Sequence, residues 1–147
     1  MKNYDHILLA ADFFQEDQVV INKARSLADK YQAKLSVVHV VDSIPITDAG
    51  YGGDIPFDLD LTTELMAIAK KKLLALARQL AINDDNVWLE IGSPKTEIVR
   101  IANEIQVDLI VLGSHGRHGL ALLLGSTANG VLHHAQCDVL AVRLQDN

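Results

Sequence analysis

From Leu109 to Thr127 the chain reads LIVLGSHGRHGLALLLGST: an apolar run enters a loop of glycines and histidines and leaves it at Gly125-Ser126-Thr127. Glycine lets a backbone turn sharply and aim several N–H groups at one point. The first turn of a following helix adds unpaired donors and a partial positive charge. These are the parts of an anion cradle, and phosphate is the first ligand they suggest. A second candidate lies far away in sequence, where Asp12 follows the apolar run His6 to Ala11. A carboxylate there can accept hydrogen bonds from sugar hydroxyls or stand near Mg²⁺ held by phosphates, and serine or threonine at a helix start can donate to phosphate while capping the helix. Arg117 adds a charge-assisted donor for an outer phosphate. Each feature also has a plainer reading: the glycine loop as a tight connection, Asp12 as a turn residue.

The other reactive side chains carry less. His115 and His118 read as solvated loop residues, and His133 and His134, adjacent on a helix, point in different directions and make a poor metal pair. His39 reads as a hydrogen-bonded strand residue, Lys70 to Lys72 as a solvated helix face, and Cys137 as a small packing residue. No G-x-x-x-x-G-K-[ST], no G-x-G-x-x-G after the first strand, no G-x-S-x-G and no H-E-x-x-H occurs, which disfavours a dedicated hydrolase or dehydrogenase. Asp12 has no acidic neighbour in sequence, unlike the acidic cluster of a phosphorylated receiver.

These residues need elements to hold them. His6 to Ala11, Lys34 to Val41, Val87 to Ile91, Leu109 to Leu112 and Asp138 to Leu144 are short apolar runs that predict strands, several without clean alternation and so buried on both faces. Helical spacing predicts helices over Gln15 to Tyr31 (Val20, Ala24, Leu27, Ala28, Tyr31 inward), Leu61 to Leu80 (Leu65, Met66, Ala69, Leu73, Leu76, Leu80) and from Pro94 (Ile98, Ile101, Ala102, Ile105). A fourth is predicted over Ser126 to Ala135 (Ala128, Val131, Leu132, Ala135). Ser93 is placed to cap the third, with Pro94 at its first position. Alternating strands and helices imply a parallel sheet covered on both faces. An order of 3-2-1-4-5 would set Asp12 and the Gly113 loop across the crevice between strands one and four. Asp42 to Asp60, rich in glycine and proline, reads as a movable flap beside it.

Composition bounds the rest. A length of 147 residues with 49% hydrophobic content suits a single domain, taken as 1–147, with one core. A net charge of -6 argues against nucleic acid as a partner. No apolar stretch approaches the ~20 residues of a membrane span, and the N-terminus lacks a basic region before its short apolar run. With a single cysteine, no internal disulfide forms, which fits a reducing, cytoplasmic location.

At four places, HILLAAD, SVVHVVD, IGSPKTEIV and GSHGRHGLALLLGST, the chain resembles the universal stress protein family over nearly its whole length. That resemblance implies an adenine nucleotide alpha hydrolase-like α/β fold and a homodimer paired through the last strand. It implies no rapid turnover, hence no enzyme in the ordinary sense, and an adenine nucleotide as ligand: ATP, or AMP or ADP, with Mg²⁺ only alongside it. Ala11 and Asp12 would lie against the adenosine, the Val40 main chain would hold the base edge, and Gly113, Gly116, Gly125, Ser126 and Thr127 would wrap ribose and phosphates, with Arg117 at an outer phosphate. The family pattern spaces its second and third glycines by nine residues, whereas eight separate Gly116 from Gly125 here. The family also contains members that bind no nucleotide, so a dimeric interaction protein stands as the alternative.

Overall fold

A computed structural model describes residues 3–13, 17–42, 59–114 and 124–144, the side chains of 59 and 60 excepted. It contains the strands β1 (His6–Ala10), β2 (Lys34–Asp42), β3 (Val87–Gly92), β4 (Leu109–Gly113) and β5 (Asp138–Val142), and the helices α1 (Asp17–Tyr31), α2 (Leu59–Gln79), α3 (Pro94–Glu104) and α4 (Ser126–His134). All strand pairs are parallel, in the order β3-β2-β1-β4-β5. Side-chain alternation splits the core. Ile7 and Leu9 of β1 join Val20, Ala24 and Ala28 of α1 and Leu73, Leu76 and Leu80 of α2 on one face. On the other, Leu8 and Ala10 meet Ile98 and Ile101 of α3 and Ala128 and Val131 of α4. The crossovers therefore pass to opposite faces on either side of β1 and β4, which makes the gap between those two strands the switch point.

Three helix-to-strand returns use one device. Gln32, Ala81 and Gln106, each just past a helix, adopt positive φ of 53°, 55° and 55°. The following amides of Ala33, Ile82 and Val107 bond back to Ala28, Ala77 and Ala102 carbonyls, closing the left-handed cap that glycine usually makes. Opposite them, α3 and α4 approach closely at Gly130, where a Cβ would lie 2.6 Å from Cδ and 2.9 Å from Cβ of Lys95.

Two inward assignments fail. Leu65 is 47% exposed, with Leu61 and Ile68 beside it on the same stripe, and burial on α2 begins at Ala69. Leu132 of α4 is 45% exposed, because the buried stripe follows Ala128 and Val131 and leaves Leu132 on its flank. Periodicity reports what a helix is able to bury; burial also needs a facing surface. Strand five ends at Val142 rather than Leu144, and Ser93 stands at the N-cap of α3 without a side-chain capping bond.

Candidate functional site

The register brings the predicted residues to one end of the sheet. β1 pairs Ala10 with Val38 and Leu9 with Val111, and two steps further along each ladder Asp12 stands level with Val40 and Ala11 level with Gly113. Beyond β4, the Ser114 carbonyl accepts the Gly125 N–H at 2.7 Å. This bond sets the N-terminus of α4 beside the end of β4. Ala11, Asp12, Val40, Gly113, Gly125, Ser126 and Thr127 thus come from four separate segments to one sheet end, as the predicted strand order requires. Gly116 and Arg117, like His115, His118 and the 43–58 part of the flap, lie outside the described residues.

The donors at this end are backbone groups. Gly125 is the N-cap of α4 and makes no side-chain capping bond, so Ser126 and Thr127 lie inside the first turn rather than at the capping position. First-turn amides left without a side-chain acceptor are available to an anion, and the helix dipole favours one there. Gly113 and Gly125 contribute through their small size: neither has positive φ, the only described glycine that does being Gly92.

The acidic side of the site is built around Ala11 to Phe13. The Ala11 N–H donates to the Val38 carbonyl at 2.9 Å, and its own carbonyl accepts from His39 Nδ1 at 2.6 Å. His39 is half-buried and hydrogen-bonded, as expected, and burial holds its pKa down, so the neutral ring with its proton on Nδ1 is the form present at neutral pH. Phe13 stacks on that ring with centroids 4.6 Å apart and takes a positive φ of 63°. Its amide donates to Asp17 Oδ2 at 3.3 Å. Asp17, the first residue of α1, is 8% exposed and feels the charge of Asp12, which remains exposed.

Asp12 therefore does have an acidic partner, contrary to the sequence reading. The DFFQED run spaces the two carboxylates five residues apart, and Phe13 between them takes positive φ. Burial first, and the Asp12 charge second, push the Asp17 carboxyl up to about 6. Between about pH 4 and that value the folded chain holds a proton that the unfolded chain releases, so stability falls as pH rises through this window and the penalty stays in full above it. Asp17→Asn keeps an acceptor for the Phe13 amide and removes the charge. It is expected to raise unfolding free energy by on the order of 2 kcal/mol at pH 8 and to change it little at pH 4, which urea titrations at the two pH values will read.

The remaining candidates are structural. His133 and His134 are exposed in the last turn of α4, Cys137 packs partly buried against the α3 and α4 core, and no His, Cys, Asp and Glu cluster suited to a metal occurs among the described residues. No described helix is long and apolar enough to cross a membrane.

Residues 3–143 match the model of the universal stress protein family. The chain is 41% identical to universal stress protein A homolog 2 of Coxiella burnetii over 146 residues, covering 99% of both chains. Among solved structures it is similar to hypothetical protein MJ0577 (TM-score 0.80, 26% identity, 99% of this chain and 100% of that one). It also shares its fold with a universal stress protein solved in complex with cAMP (TM-score 0.61, 22% identity, 96% and 98% covered).

Proposed function

The chain belongs to the universal stress protein family, and on that premise we propose that it binds an adenine nucleotide, ATP or else ADP or AMP, whose occupancy acts as a signal rather than being turned over rapidly. The observation that carries this reading is the convergence at one sheet end of Asp12, Val40, Gly113 and the N-terminus of α4, whose N-cap is a glycine. In this reading Asp12 accepts from the ribose, Ala11 lies beside the adenosine and the Val40 main chain meets the base edge. The amides and hydroxyls of Gly113, Gly125, Ser126 and Thr127 take the phosphates, joined by Gly116 and Arg117 from the loop. Such donors suit phosphate oxygens, since main-chain amides at a helix start need no countercharge to bind an anion. Mg²⁺ enters only with the phosphates, and no residue here is assigned to it. Calorimetric titration with ATP and Mg²⁺ is the test: saturable binding at one site per chain supports the reading, and absence of heat with ATP, ADP and AMP alike opposes it.

The shortened loop, eight residues between Gly116 and Gly125, favours the alternative of a family member acting through protein contacts without a nucleotide. Both readings place the protein in the cytoplasm and pair two copies through β5, which is an edge strand. Asp138 and Val142 direct backbone groups at β4-side partners, since the Asp138 amide donates to Asp108 and the Val142 carbonyl accepts from Ser114. Alternation then turns Val139 and Ala141 toward the open edge. A charge at Val142 does not isolate this interface, because that side chain is buried in the core. Ala141→Pro removes one outward N–H at an edge position that tolerates proline. It is expected to convert dimer to monomer in sedimentation with the helical signal retained, and a variant that sediments as the same dimer would place the interface elsewhere.

A further inference from the structure

We propose, resting on the nucleotide reading above, that His39 is a positioning residue for the base: by drawing the Ala11 carbonyl out of the β1 and β2 ladder, its imidazole keeps the Val40 N–H open to adenine. The register sets up the choice. β1 pairs with β2 in parallel as far as Ala10 opposite Val38, so His39 stands level with Ala11. In a parallel ladder a residue sends its N–H to the residue before its partner and its carbonyl to the residue after. Ala11 follows the first half, donating to the Val38 carbonyl at 2.9 Å. The second half would give its carbonyl to the Val40 N–H, but that carbonyl accepts from His39 Nδ1 at 2.6 Å. The next rung is diverted too. The Phe13 amide, which a continued ladder would give to the Val40 carbonyl, donates to Asp17 Oδ2 at 3.3 Å, and Phe13 leaves the strand direction with a φ of 63°.

Val40 is left with both main-chain groups pointing past the end of β1. Val38 directs its carbonyl at β1, and alternation gives Val40, two residues on, the same direction. Among the described residues, no backbone group pairs with the Val40 N–H on that side. The Val40 side chain is 7% exposed and anchored in the half of the core that holds α3 and α4 residues, so its peptide has little freedom to turn elsewhere. An N–H kept from its ladder partner favours a ligand acceptor in its place. Beside it the Val40 carbonyl is an acceptor, and this donor and acceptor match N1 and the 6-amino group of adenine. They mismatch hypoxanthine, which carries N1–H and a 6-carbonyl. Phe13 lies against the imidazole with centroids 4.6 Å apart, which limits how the ring can turn and keeps Nδ1 on the Ala11 carbonyl.

The experiment titrates ATP and inosine triphosphate (ITP), each with Mg²⁺, into wild type, His39→Leu and His39→Asn, with circular dichroism and urea midpoints as fold controls. Leucine and asparagine have nearly the same shape and both lack the ring, but only asparagine keeps a donor near the place of Nδ1. Wild type should prefer ATP to ITP. In His39→Leu the Ala11 carbonyl is released to take the Val40 N–H. ATP should then bind about three- to tenfold more weakly, the range for one neutral hydrogen bond, with ITP not weakened and the preference reduced accordingly. His39→Asn should recover most of the preference. A leucine variant that loses ATP and ITP affinity equally, or loses neither, overturns the role of His39 while leaving the nucleotide reading in place, and so does an asparagine variant no better than leucine. Wild type that binds ATP and ITP alike overturns the base contact and the role of His39 with it. If wild type binds neither, the nucleotide reading falls as well. Should the variants not fold, amide hydrogen exchange of wild type decides: the Val40 N–H should exchange faster than the Val38 N–H without ligand and become protected with ATP. A Val40 amide already as protected as Val38 in the ligand-free chain overturns the proposal.

Discussion

Asp12→Ala is expected to weaken the proposed ATP binding by about 10- to 100-fold and to leave the fold intact. The size follows from what is lost: hydrogen bonds to a charged acceptor contribute roughly 1.5–3 kcal/mol, and a shortened side chain at residue 12 offers the ligand hydroxyls no replacement. The fold survives because Asp12 is exposed and lies beyond β1, while the bonds that anchor the turn use the Ala11 backbone and the Phe13 amide. Removing Asp12 also takes away the charge that disfavours ionised Asp17, so the variant should be no less stable at neutral pH. Gly113→Val is the companion change on the opposite side of the crevice, adding bulk where β4 gives way to the loop. Calorimetric titration checks both, with far-UV circular dichroism as the control. If both variants fold and bind as wild type does, the ligand lies elsewhere on the chain.

The second large effect is on stability. Leu8→Ala is expected to cost about 2–5 kcal/mol, the range for emptying a leucine site in a packed core. Leu8 is 0% exposed on the central strand and shares its core with residues of α3 and α4. The single tryptophan, Trp88 of β3, packs against that same half of the core and reports on it directly. Urea unfolding followed by Trp88 fluorescence should show a lower midpoint with an unchanged slope. A loss below about 1 kcal/mol would mean that the site repacks, and would argue against the tight division of the core into two faces.

The parts of the fold that were legible in sequence are those written as local patterns. β1 and β4, HILLA and LIVLG, are apolar throughout because both faces are covered, and the alternation of such runs with helical periods leaves few sheet orders open. That order alone brings Asp12 opposite Gly113. The ends of α1 and α2 fall within a residue of where apolar spacing put them, but the left-handed returns that follow α1, α2 and α3 were not legible, because Gln32, Ala81 and Gln106 fill positions that glycine usually marks. Leu65 and Leu132 were misplaced because a helical stripe carries no information about the width of the surface that meets it.

The site shows the same division. Asp12, Val40 and Gly113 sit at strand ends, where sequence position translates directly into spatial position. Asp17 stands in the first turn of a helix, where the dipole favours any acidic residue, so its position in sequence gives no sign of its burial. It is buried and accepts the amide of Phe13, whose positive φ is not anticipated for phenylalanine from sequence. The contact of Phe13 with His39, 26 residues further along at a tilt of 54°, is a tertiary fact that accompanies that turn. The signal lay in the pair DFFQED and SVVHVV taken together, and neither half reveals it alone.

The most direct measurement is mass spectrometry of whatever is released when the freshly purified protein is denatured, with ATP and Mg²⁺ added back to the emptied chain in a titration. The account predicts an adenine nucleotide in the released fraction, or saturable rebinding of ATP that Asp12→Ala removes. A chain that releases no nucleotide and takes up neither ATP, ADP nor AMP would contradict it, and would leave the β5 edge as the surface through which this family member acts.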